Sequence, residues 1–185
     1  MTWIKPNFLW MMYRSSWATA HNQERILGIW LKLESFHELL LLSEQTSANR
    51  VYESKEAYNK ARSQEKSLPG QEKPWSGRVN IQWDPDHTPN GGKMARRAIQ
   101  IGIKKLPWWA TGERFERIVD MSEFVASQRK VGQGDSGDYS ELYTPQELLY
   151  IVPDANIAAH AAVDTTEHDK AEEQTFLSTH FPHHK

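Results

Sequence analysis

Large apolar side chains crowd the first eighteen residues of the chain. "TWIKP" reads as a short extended segment, because a residue before proline avoids the helical region. Asn7 is then a suitable N-cap, and Phe8 to Ala18 a predicted helix. Phe8, Leu9, Trp10, Met11, Met12, Tyr13 and Trp17 surround nearly the whole cylinder, the pattern of a buried helix. Arg14 is the exception, about one turn from Trp10 and Trp17. "RILGIWLKL" then alternates. Leu27, Ile29, Leu31 and Leu33 share one face, and Ile26, Gly28, Trp30 and Lys32 share the other, which predicts a strand covered on both sides. Ser35 and Glu38 have capping-box spacing and predict a helix through "ELLLLSE".

Residues 46–78 are polar and charge-mixed, with Glu56 and Lys60 spaced to pair on a solvated helix near 52–66. Alternation returns in "RVNIQWDP", where Val79, Ile81 and Trp83 face one way and Asn80, Gln82 and Asp84 the other. After the turn-rich "DPDHTPNGG", "ARRAIQIGI" sets Ile99, Ile101 and Ile103 against Arg96, Ala98, Gln100 and Gly102. "RFERIVDMS" gives a further strand, with Ser122 placed to cap a short helix through Arg129. "VGQGDSGD" has linker composition. Thr144, Pro145 and Glu147 occupy N-cap, N1 and N3 positions and predict a helix over "TPQELLYIV", ended by Pro153.

The later strands follow one another without crossover helices. The expected fold is therefore α+β, with a mainly antiparallel, split or sandwich-like sheet and short helices. The expected organisation is a single domain over 1–130 with a polar insert at 46–78, a linker and short helix over 131–153, and a disordered tail over 154–185.

Composition narrows the function classes. A net charge of −2 over 185 residues supplies no global field for nucleic acid or an anionic membrane, so such a contact needs a local patch. With no cysteine there is no disulfide, thiolate nucleophile or cysteine-based zinc site. No run reaches the roughly 18 apolar residues of a spanning helix, and Arg14 interrupts the opening too early for a signal peptide. A soluble intracellular protein of the cytoplasm, or of the nucleus, is expected.

Candidate chemistry lies in a few places. Gln82, Asp84, Arg96 and Gln100 would line one surface if their strands are neighbours, and the small Ala98 and Gly102 would let a ligand approach the backbone. The same residues also suit a solvated face with a cross-strand Asp–Arg pair. In the opening, Trp3, Lys5, Trp10, Arg14 and Trp17 suit a phosphate or a flat ring, or else a buried helix whose Arg14 pairs with an acid such as Glu24. Gln23, Glu24 and Arg25 stand at a strand entry, where ion pairs are common. His180, His183 and His184 lie in the expected tail, so no metal site is expected. Trp75, Trp108 and Trp109 beside Lys104 and Lys105 could stack on bases, so a nucleic-acid or protein-binding module is the alternative to a small-ligand site.

Taken together, "TWIKPNFLWMMYRSSWAT", "QERILGI", "QWDP" and "RRAIQIGI" resemble the bacterial and fungal family called domain of unknown function four-two-nine-one. Its members look like "TWIKPSFLWMMYRSGW", "QERVLAI", "QWDPER" and "RSIQIGL", and the likeness runs from Thr2 to about Arg129. Here Asn7 stands for a serine, Ser16 for a glycine, and Asp86-His87 departs from the usual continuation. Members also carry a strand upstream of "MTW". That arrangement is similar to ADP-ribosyltransferase domains, which implies NAD or another nucleotide as cofactor and a glycosyl transfer from it, active or degenerate. The resemblance puts Gln100 where such enzymes carry a catalytic acid, with Lys5, Tyr13, Arg14, Gln82 and Arg96 as cofactor-binding candidates. A glutamine can bond a ribose hydroxyl but carries no negative charge.

Overall fold

The computed structural model describes residues 1–45, 56, 78–134, 137–148 and 150–163. Helices and mainly antiparallel sheets are mixed, as an α+β fold requires. One sheet has four strands, in the order β1 (Thr2–Ile4), β5 (Lys93–Ile103), β4 (Val79–His87) and β3 (Ser43–Gln45). β5 pairs antiparallel with both β1 and β4, while β3 joins β4 in parallel. A second, two-stranded antiparallel sheet joins β2 (Leu27–Leu31) to β6 (Phe115–Asp120).

The alternation of β4 and β5 decides which side is core. Val79, Ile81, Ile101 and Ile103 are almost fully buried beneath Leu39 and Leu40 of α2 (Leu33–Leu41), Trp108 of α3 (Pro107–Thr111) and Ile157, Ala158 and Ala161 of α5 (Ala155–Ala161). Each such aliphatic side chain contributes about 1.5–3 kcal/mol when fully buried. A second cluster joins Leu9 and Met12 of α1 (Phe8–Ser15) to Trp17, Ile26, Leu142 and Val125 of α4 (Ser122–Gly132).

Several elements differ from the expectation. α1 ends at Ser15 rather than Ala18, because Ser16, Trp17 and Ala18 take three consecutive left-handed conformations with φ of 49°, 54° and 60°. The turn drives Trp17 inward, where its indole Nε1 donates to the Pro89 carbonyl at 3.0 Å. α2 begins at Leu33 with Lys32 as N-cap, and Ser35 is buried inside the helix instead of capping it. Among the described residues β2 has a single partner strand, and Leu27 and Trp30 are exposed, so it is not covered on both sides.

The C-terminal part departs furthest. No helix forms among the described residues of 144–152. Glu147, placed to cap its own helix, instead accepts the Phe8 N–H at 2.6 Å and so caps α1. The chain is also not a tail from Asp154. The Asp154 carboxylate accepts the N–H groups of Asn156 and Ile157 and starts α5, whose small residues fit closely against α2. The expected helix near 52–66 and the tail beyond Val163 lie outside the described residues.

Candidate functional site

The face of the four-stranded sheet opposite α2 is polar. Gln82 of β4 lies directly across from Gln100 of β5, and Asp84 lies across from Ala98. Both glutamines converge on the aspartate: Gln82 Nε2 donates to Asp84 Oδ1 at 3.1 Å, and Gln100 Nε2 donates to Oδ2 at 2.8 Å. A carboxylate can only accept, so each glutamine presents its NH₂ end and the acid is held from two strands.

β1 brings the opening of the chain to this face. Trp3 pairs with Gly102, and a Cβ at Gly102 would stand 2.8 Å from two atoms of the Trp3 indole and 2.9 Å from the Met1 sulfur. Only glycine lets the ring lie this close to the sheet. Lys5 follows with the same parity. Its pKa is lowered to about 8, first by burial and then by the charge of Arg14, with that of Asp84 pulling the other way. Lys5, Arg14 and Asp84 therefore share one electrostatic environment. Among the described residues neither Lys5 nor Arg14 is within ion-pair distance of an acid. The alternative Arg14–Glu24 pair is not formed; Glu24 accepts the Asn22 N–H instead.

Arg96 and Tyr13 belong to a different cluster. The ladder slips between Pro85 and His87, and Arg96 pairs with the fully buried Asp86 rather than with Asp84. Glu147 stands 3.8 Å from the same guanidinium. Beside this network the Tyr13 ring stacks on His87 at 3.7 Å, and Trp10 stacks on His87 at 4.8 Å. Burial lowers the His87 pKa, and among the described residues neither buried ring nitrogen has a hydrogen-bond partner, which disfavours the charged imidazolium. The cluster binds α1 to the β4–β5 hairpin and to the 139–148 segment.

Of the residues singled out in the sequence, the fold thus gathers Lys5, Arg14, Gln82 and Gln100 and sets Arg96 and Tyr13 apart. Asp84, a member of the polar face expected from the sequence, is the hub, a role that the alternation alone does not show. Nothing in the sequence marks Asp86, His87 and Glu147 as one network, since their contact depends on the slip in register. Trp108 is not an exposed ring: it is 5% accessible, its Nε1 donates to Glu38 and Arg114 lies over it. Trp75 and the three terminal histidines lie outside the described residues. Among the described residues no group of three or more His, Asp or Glu could hold a metal, and no helix is long and apolar enough to cross a membrane.

A family model, Domain of unknown function (DUF4291), matches residues 1–150, and the chain belongs to that family. No curated protein and no solved structure matches it.

Proposed function

We propose that the polar sheet face of this family member binds a nucleotide, with NAD as the ligand of first choice, and that the chain is an ADP-ribosyltransferase-like protein whose acid is Asp84 rather than Gln100. One observation carries the reading: a carboxylate held by two glutamine amides acts on Lys5, which also feels Arg14, and among the described residues neither cation is in an ion pair. Paired cations suit a pyrophosphate. A fixed carboxylate suits a sugar hydroxyl and a sugar cation. Trp3, held over Gly102, offers a ring for a base.

In the reaction this implies, the bond between nicotinamide and ribose C1 breaks, and nicotinamide leaves with the bonding pair. Positive charge spreads over C1 and the ring oxygen, and the ionised Asp84 stabilises it. Water or an acceptor group then attacks C1 and loses a proton. Gln82 and Gln100 are positioning residues, because they touch the acid and not the reacting atoms. This assignment answers the difficulty that a glutamine carries no negative charge.

Labelled NAD tests the reading through both binding and nicotinamide release. Asp84→Asn should cut release by about 10²–10³-fold with little change in binding, the effect of removing one preorganised stabilising group. Lys5→Ala should weaken binding. Absence of binding at millimolar NAD sinks the proposal, and release unaffected by Asp84→Asn removes Asp84 as the acid.

A further inference from the structure

At the β1 edge of the sheet, where β5 turns into α3, an open groove of about 600 Å³ is walled by Ile103, Leu106, Pro107 and Trp109, with Lys104 and Lys105 on its lining. Both lysines are exposed, and among the described residues neither is in an ion pair and no acid lines the groove. The backbone here is fixed. Lys104 donates its N–H to the Arg78 carbonyl at 2.7 Å, and Lys105 has a φ of 55°, a left-handed conformation that a lysine adopts only at a cost. Trp109 is fixed as well. Its half-buried ring meets Phe115 edge-on at 4.9 Å and Trp108 at 5.9 Å, so it has little freedom left to lose on binding.

We propose that this groove binds single-stranded nucleic acid, one base resting on Trp109 and the neighbouring phosphates on Lys104 and Lys105. The chemistry selects the occupant. Two adjacent cations, balanced by no acid among the described residues, complement a chain of phosphates, and an apolar wall ending in an indole complements the face of a base. A duplex fits poorly, because its base faces are stacked on one another and hidden from Trp109. Since the whole chain carries a net charge of −2, the attraction is confined to this patch. The proposal does not rest on the NAD reading of the polar sheet face.

The test is fluorescence anisotropy of the full chain with a labelled oligouridylate of about a dozen nucleotides, in a salt series. Two phosphate contacts give a slope of log affinity against log salt near −1.4, so affinity should fall about sevenfold between roughly 50 and 200 mM. Lys104→Glu with Lys105→Glu should abolish binding; both side chains are exposed, so the fold is not at stake. Trp109→Leu should weaken binding about tenfold, the scale of one lost stacking contact. If that variant does not fold, the charge reversal carries the test alone. Binding that ignores salt, survives the charge reversal or is equally tight for a duplex overturns the proposal. So does competition by free uridine monophosphate as effective, mole for mole, as the unlabelled oligonucleotide.

Discussion

Replacing Lys5 by methionine should make the protein more stable and less able to bind its ligand. The side chain sits at a cost: its pKa is lowered from 10.5 to about 8, first by burial and then by the charge of Arg14, with Asp84 compensating in part. A gap of this size, at about 1.36 kcal/mol per pKa unit, sets an upper limit of roughly 3.4 kcal/mol. Solvent still reaches the amine, so screening reduces the figure to about 1–2 kcal/mol. Methionine keeps much of the apolar stem and removes the charge.

The pH dependence gives this prediction its sign. In the window from about 8 to 10.5 the unfolded chain holds the Lys5 proton and the folded chain has released it. Stability from this residue therefore rises with pH across the window. The penalty is fully present below pH 8, where both states carry the charge, and gone above 10.5, where neither does. Urea unfolding at neutral pH should show Lys5→Met about 1–2 kcal/mol more stable than the parent, and the gap should close as pH approaches 10.5. A less stable variant at neutral pH, or a gap that does not change with pH, would refute the reasoning. Ligand binding should move the opposite way in the same variant, which separates a residue kept for the site from one kept for the fold.

Three further outcomes follow from backbone and packing. Ser16→Gly should stabilise the chain by about 0.5–1 kcal/mol, read as a higher Tm, because position 16 is left-handed and glycine adopts that conformation without a Cβ clash. Gly132→Ala should cost about 1–3 kcal/mol in urea unfolding, even though alanine is the better helix former. The added Cβ would stand 2.1 Å from Cζ2 of Trp17, a buried ring also tied to the Pro89 carbonyl. Glu147→Gln should cost about 1 kcal/mol by weakening the cap on Phe8 and its contact with Arg96, and limited proteolysis within 139–148 should become faster.

The two-residue alternation along β4 and β5 is legible in the sequence, so the polar face and its members Gln82, Asp84 and Gln100 are legible too. Register is not. Whether Arg96 reaches Asp84 or Asp86 depends on a slip between Pro85 and His87 that no propensity encodes. The same limit explains the missing helix after Thr144. Its start signal is sound locally, yet Glu147 satisfies an N–H of another helix, and a partner far away in sequence outweighs the local cap. Asp154 is the converse case: a cap of similar kind acts locally, because small residues after it let α5 pack against α2.

The two aspartates of β4 show why one of them is open to chemistry and the other is not. Asp86 is fully buried, and its oxygens are occupied by the Arg96 guanidinium and the His87 N–H. Its charge is neutralised at contact distance, so a ligand would have to displace a buried ion pair at a cost of several kcal/mol. Asp84 is half-buried, and among the described residues its side-chain hydrogen-bond partners are two neutral amides. A carboxylate has about four lone-pair directions, of which two are used here. Among the described residues Asp84 forms no ion pair; Lys5 feels its charge only at a distance, and Lys5 in turn feels that of Arg14. Asp84 thus keeps both a fixed orientation and spare accepting capacity, and the proposed role, recognising a sugar and stabilising its cation, needs the two together.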